Sequence, residues 1–251
     1  IGKGGMGWVF EGQHRRDGTP AAVKVLLSER AQEPKYQRGF FREVQAQAGL
    51  HHPVCATVFD YGTIGATAAN DGPVPFVEGA PWFAMERISD TSLGDVGDQW
   101  EWPRIERAIF ALLDALAHAH ANDVIHRDLK PSNVLIPDGS DTPLVKLVDF
   151  GIAGMIGELL DEEDDKGRFQ TATGTPGYMA PEQIIGRWRE HGPWTDLYAL
   201  GSMVWRIVCE GAPFEGEKTS EKFKHQLRGH LCDFRPRTEI PAGLEGWLRR
   251  L

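Results

Sequence analysis

The sequence predicts an α+β fold, with short strands and a single helix near its start and longer helices after them. Three observations carry that reading. Residues 8–12, 21–26 and 82–85 are short, largely apolar runs, too brief for helices. Residues 34–50 set Phe40, Val44 and Ala48 on one face at helical spacing. Residues 103–122 repeat Ile105, Ile109, Leu112 and Leu116 in the same way, after a proline suited to a first turn. A chain of 251 residues can bury one good core or two small lobes.

The net charge of −9 argues against a broad nucleic-acid or anionic-membrane surface, because both want basic residues. Cys55, Cys209 and Cys232 are odd in number and far apart, so neither a disulfide framework nor a zinc site is expected. They suit a reducing cytoplasm. No apolar run approaches the roughly 20 residues of a membrane span, and no signal peptide is visible. The chain starts at Ile1, directly before a glycine cluster, and stops at Leu251 within an expected helix over 244–251. The expectation is therefore a piece of a longer protein.

In chain order, Gly2, Gly4 and Gly7 stand at G-x-G-x-x-G spacing, with Lys3 and Gly5 between them and Val9 just after. Glycine permits close backbone approach to phosphates. Alone the pattern also fits a plain hairpin or a dinucleotide-binding turn. A dinucleotide turn runs straight into a helix, whereas residues 8–12 read as a strand, so a hairpin lid is favoured. Strand 21–26 carries one lysine, Lys24, which costs free energy if buried without a partner. A snorkelling edge lysine is the alternative. Residues 54–61 read as a strand, 62–81 as a loop rich in Gly, Ala and Pro, and 82–85 as a strand ending at Met85.

Beyond helix 103–122 comes His126-Arg127-Asp128-Leu129-Lys130-Pro131-Ser132-Asn133, and then Leu147-Val148-Asp149-Phe150-Gly151. A backbone cradle, oxygen ligands for magnesium and a carboxylate to orient a hydroxyl are what phosphoryl transfer requires. His118 and His120, two apart on a helix, face different ways and read as structural. Residues 161–165 are an acidic run, whose plain reading is a solvated loop. Thr171-Ala172-Thr173-Gly174-Thr175-Pro176-Gly177-Tyr178-Met179-Ala180-Pro181-Glu182 follows. Residues 194–209 form an apolar helix with Thr195 or Asp196 as its candidate cap.

In this ordered set the chain resembles the protein kinase family, Ser/Thr type, in particular the eukaryotic-like kinases of bacteria. The resemblance covers essentially the whole chain. It implies a two-lobed fold, with residues 1–88 as an N-lobe of antiparallel sheet plus one helix and 89–251 as a mainly helical C-lobe. It implies ATP and Mg2+ as cofactors, with Mn2+ as an alternative, and protein Ser/Thr hydroxyls as acceptors. Gly2, Lys3, Gly4, Gly5, Gly7 and Val9 would cover the nucleotide. Ala22 and Leu135 would sandwich adenine, Glu86 and Ile88 would serve the hinge, and Met85 would be the gatekeeper.

Lys24 would pair with Glu43 and reach the α- and β-phosphates. Asp128 would orient the acceptor hydroxyl, Lys130 would contact the γ-phosphate, and Asn133 and Asp149 would hold the metal. Arg127 would answer a phosphate on Thr171 or Thr173. Thr175 would contact Asp128 and Lys130, His126 would be a packing residue, and Asp196 would brace the catalytic loop. Autophosphorylation with self-association, and a cytoplasmic location, follow from the same resemblance.

Against the family's pattern, no strand precedes the glycine loop, Glu182 lacks its usual arginine and is expected to be unpaired, and the loop 186–193 has no reading. The rival readings are a pseudokinase, which loss of Lys24, Glu43, Asp128, Asn133 or Asp149 would favour, and a small-molecule kinase. The segment from Thr175 to Glu182, the peptide-docking platform of protein kinases, argues against the latter.

Overall fold

The computed structural model describes residues 2–4, 7–26, 33–71, 76–138, 144–150 and 175–251. Gly5, Gly151, the acidic run 161–165, Thr171 and Thr173 lie outside the described residues. The fold is α+β, with an antiparallel sheet and helix first and a mainly helical part after it.

The sheet has five strands, β1 (Gly2–Gly4), β2 (Gly7–Gln13), β3 (Pro20–Leu26), β4 (Val58–Thr63) and β5 (Pro81–Glu86), in the order β1-β2-β3-β5-β4. β1 and β2 are a hairpin with Gly2 opposite Val9, which is the lid geometry rather than a dinucleotide turn. Gly7 tolerates no side chain, because an added Cβ would lie 2.1 Å from the Val25 carbonyl oxygen. Residues directly opposite one another in a sheet share a face. Val9 and Phe83 both oppose Lys24, and Met85 opposes Ala22. On that face Ala22, Leu26, Phe83 and Met85 pack on Tyr36, Phe40 and Val44 of α1 (Pro34–Ala48). The other face packs Val23 and Val25 with Phe10, Phe76 and Trp82. β3 is thus covered on both sides, which is why it reads as a nearly continuous apolar run.

Two expectations from sequence need correction here. The strand expected over 54–61 begins only at Val58. Cys55 instead bridges Leu147, with Leu147 N–H donating to Val54 O at 2.6 Å and Ala56 N–H to Leu147 O at 2.9 Å. A strand cannot pair in the sheet and at this distant site at once. The loop expected over 62–81 contains a helix, α2 (Ala66–Asp71), which its alanines favour.

In the second part, α3 (Leu93–Val96) precedes α4 (Trp102–Ala121). α4 buries Ile105, Ala108, Ile109, Leu112, Ala115, Leu116 and Ala119, an unbroken helical stripe. A two-stranded ladder, β6 (Val134–Leu135) with β7 (Lys146–Leu147), follows. Next come α5 (Pro181–Ile184), α6 (Pro193–Val208), α7 (Thr219–Arg228) and α8 (Leu244–Leu248). α6 is buried nearly all round and centres the large core with α4. It begins at Pro193, one residue before the expected start, with Gly192 rather than Thr195 or Asp196 as the cap. Thr195 still serves that end, because its Oγ1 accepts the Gly192 N–H at 3.1 Å. The three cysteines are free. Among the described residues no helix is long and apolar enough to cross a membrane.

Candidate active site

The centre of the site is the loop from His126 to Asn133, held from beneath by one carboxylate. Asp196, 1% exposed at the start of α6, accepts the His126 N–H at 2.9 Å on Oδ2 and the Arg127 N–H at 2.8 Å on Oδ1. Its Oδ2 also meets His120 Nε2 at 2.7 Å. The bracing keeps Arg127 at φ 63°, a left-handed conformation that a non-glycine residue holds only when its surroundings enforce it. Gln183 adds a strut, donating from Nε2 to the Arg127 carbonyl at 2.7 Å. Sequence reasoning alone does not find Gln183. Its only signal there is a polar residue inside an otherwise structural turn.

His126 is fully buried and lies against Phe150, the two rings tilted with centroids 4.7 Å apart. Its Nε2 lies 2.9 Å from the Val148 carbonyl, which can only accept, so the proton sits on Nε2. Nδ1 then accepts the Asp128 N–H at 3.3 Å. His126 is a packing and hydrogen-bonding residue, as expected, with no free nitrogen for proton transfer.

Asp128 is gripped on both oxygens. Lys130 Nζ donates to Oδ2 at 2.7 Å, and Asn133 Nδ2 reaches the same oxygen at 3.3 Å and the Asp128 carbonyl at 2.8 Å. Thr175 Oγ1 donates to Oδ1 at 3.4 Å and accepts from Lys130 Nζ at 3.0 Å. With its nitrogen committed to Asp128, Asn133 has its carboxamide oxygen as the ligand atom.

Asp149 also has a left-handed backbone, φ 63°. Its Oδ2 pairs with Lys24 Nζ at 2.7 Å, while Oδ1 is buried without a hydrogen-bond partner among the described residues. Burial opposes its ionisation, but the Lys24 charge and hydrogen bond, with Lys130 further off, hold its pKa below the ordinary carboxylate range. A buried, ionised oxygen without a donor is a costly thing to leave alone. Together with the Asn133 oxygen it fits a hard divalent cation, which prefers oxygen ligands.

The expected Lys24–Glu43 pair is not made. Lys24, 7% exposed, is on Asp149, and Glu43 lies 3.8 Å from Arg127 Nη1 and 3.4 Å from Arg42 Nη2. A buried lysine takes the nearest carboxylate that relieves its desolvation, and here that is Asp149. Val9, Ala22 and Met85 share the Lys24 face of the sheet, and Leu135 lies across on β6. At the end of β5, Glu86 N–H donates to Thr57 O at 2.8 Å and its carboxylate pairs with Lys146 at 2.7 Å. Both groups are thus engaged within the protein. Glu182, expected to be unpaired, accepts a hydrogen bond from Thr195 Oγ1 at 2.6 Å.

The loop 186–193 brings His191 beside this machinery. Its Nε2 is buried with no hydrogen-bond partner among the described residues, and its pKa is pushed down to about 4 by burial and then by Arg127, with Asp196 opposing. A histidine lowered from about 6.5 binds more protons unfolded than folded between those values, so its stabilising effect is present above pH 6.5 and lost on acidification toward 4. Thermal denaturation at neutral pH and at pH 5 should show the wild type losing about 3–5 °C more than His191→Gln. Equal losses would mean that His191 titrates normally.

A family model described as protein kinase domain matches residues 1–242. Serine/threonine-protein kinase pkn3 of Myxococcus xanthus is 35% identical over 225 residues, covering 86% of this chain and 38% of its own length. Pkn1 of the same organism is 34% identical over 231 residues, 91% of this chain and 31% of its own. PknB of Mycobacterium tuberculosis is 34% identical over 233 residues, 90% and 34% respectively. The chain thus spans about a third of the length of these relatives.

Proposed function

The chain belongs to the protein kinase family, whose members are phosphotransferases, and from that premise we propose that it transfers the γ-phosphoryl of ATP to a Ser or Thr hydroxyl of a protein. The observation that carries the reading is Asp128, gripped on both oxygens and held on a braced loop that is bonded through His126 to the Asp149 segment, where Asp149 Oδ1 has no hydrogen-bond partner among the described residues. Residues 1–88 and 89–251 are the two lobes, and the nucleotide lies between them.

In this reading the acceptor hydroxyl hydrogen-bonds to Asp128, which takes its proton as the oxygen–phosphorus bond forms and the bond to the β-phosphate oxygen breaks. Lys130, already beside Asp128, neutralises charge on the transferred phosphoryl. Asn133 and Asp149 hold the metal through oxygen. Magnesium, or manganese in its place, supplies positive charge to the phosphate oxygens. Lys24 moves from Asp149 to the α- and β-phosphates, and Glu43 leaves Arg127 to support it. Gly2, Lys3, Gly4, Gly5, Gly7 and Val9 cover the phosphates, Ala22 and Leu135 hold the base, and Glu86 and Ile88 lie at the hinge.

Thr171 and Thr173 are the acceptors for autophosphorylation between self-associating copies, in the cytoplasm. A phosphate there competes with Glu43 for Arg127 and so favours the active pairing. The test is intact mass after incubation with ATP and magnesium, followed by peptide mapping. Stepwise phosphoryl additions in the wild type, absent from Asp128→Asn and mapping to Thr171 or Thr173, are expected. No addition, with a cooperative melt showing folded protein, would sink the transfer reading.

A further inference from the structure

The groups that grip Asp128 also border a second space. Lys130 and Thr175 line a cavity of about 250 Å3 together with Tyr178, Asp98 and Arg206. A peptide that offers its hydroxyl to Asp128 advances 3.3–3.6 Å per residue when extended. The cavity is therefore within reach of a side chain that neighbours the acceptor residue.

The charges there are unequal in their commitments. Lys130 is paired with Asp128 at 2.7 Å, and Asp98 lies 3.7 Å from Arg237 Nη1. Arg206 makes no hydrogen bond or ion pair with any described residue. It is exposed in a helix whose neighbouring positions Met203, Val204, Trp205, Ile207 and Val208 are all buried. A helix end welcomes a cation in general, which accounts for a basic residue in the last turn but not for its opening onto this cavity. Its field also reaches Tyr178, whose phenol is pushed up by burial with Arg206 opposing. In a chain of net charge −9, this is a local cationic pocket beside the reacting atoms.

We propose that the cavity is the subsite for a side chain close to the acceptor residue, and that Arg206 makes it select a carboxylate, Asp or Glu. The inference rests on the reading that the chain phosphorylates proteins. Tyr178 and Thr175 would frame the bound carboxylate, and Arg206 would supply the charge that a lysine or arginine substrate cannot meet.

The test uses threonine peptides carrying Glu, Ala or Lys at each flanking position in turn, with wild type, Arg206→Ala and Arg206→Glu. At one position near the acceptor the wild type should prefer Glu over Lys by about fivefold, a size typical of a half-exposed charge contact. The ratio should fall to about one in Arg206→Ala and invert in Arg206→Glu, and it should shrink at high salt. An unchanged Glu-to-Lys ratio in Arg206→Glu would overturn the proposal. A second arm measures binding of the same peptides to Asp128→Asn protein, with and without Arg206→Glu, by fluorescence anisotropy. If no peptide is phosphorylated by the wild type, the transfer reading fails. The binding contrast then decides the subsite alone, tighter Glu binding lost with Arg206→Glu supporting it and equal binding refuting it.

Discussion

Asp128→Asn should lower the rate of phosphoryl transfer by about 10²- to 10⁴-fold, the range for loss of a positioned proton acceptor, while ATP binding changes little. The substitution is close to isosteric, and the site can accommodate it. Lys130 and Asn133 both donate toward one oxygen of Asp128, and Thr175 Oγ1 faces the other. An asparagine can keep its oxygen toward the two donors and turn its nitrogen toward the threonine hydroxyl, which can accept. The fold survives and the hydrogen bonds are kept, but the basicity is gone. Single-turnover transfer beside calorimetric ATP binding separates the two. Transfer within tenfold of the wild type would remove Asp128 from the role of proton acceptor.

The same chemical change at Asp196 should behave in the opposite way. There each carboxylate oxygen accepts a different backbone N–H, from His126 and from Arg127. A carboxamide in that place would have to point its NH₂ group at one of these donors, and no rotation avoids it. Asp196→Ala loses both acceptors and the His120 contact together. Buried donors left without acceptors cost about 1–3 kcal/mol each. For two the sum is a large part of the roughly 5–15 kcal/mol that stabilises a domain. A fall of about 10 °C in melting temperature is expected for Asp196→Ala, and a comparable one for Asp196→Asn. Faster amide exchange over 126–128 should accompany it, since those N–H groups lose their partner. An Asp196→Asn protein that melts with the wild type would show that the carboxylate is not a brace.

Much of this is legible in the sequence because it is local. The order of residues from His126 to Asn133 fixes which groups share the loop, and helical spacing gives α1 and α4 to within a residue or two. The resemblance implies that Thr175 touches Asp128 and Lys130 and that Asp196 is a brace, and both contacts are present. What sequence does not encode is the choice among partners. Lys24 has two acidic candidates at distant positions, and the choice depends on where α1 stands against the sheet, which no spacing records. Glu182 finds Thr195 for the same reason, through a contact between α5 and α6. The strand expected over 54–61 fails in its first half because Cys55 pairs with β7, a partner about ninety residues away in the chain (147 − 55 = 92). α2 is hidden by the glycines and prolines on either side of it.

One small feature has mechanical weight. The stretch ahead of β4 and the end of β5 are both fastened to the two residues of β7, through Val54, Ala56 and Glu86. A rocking of the sheet would therefore turn about β7 as a door turns on its hinge pin. Asp149 stands two residues beyond that pin and scarcely travels. The glycine hairpin is on the opposite edge of the sheet, four strand spacings or about 19 Å from β4, where the swing is widest. Under the proposed function, this arrangement would let the hairpin over the phosphates open far enough to release a nucleotide while the carboxylate proposed to hold the metal stays where it is.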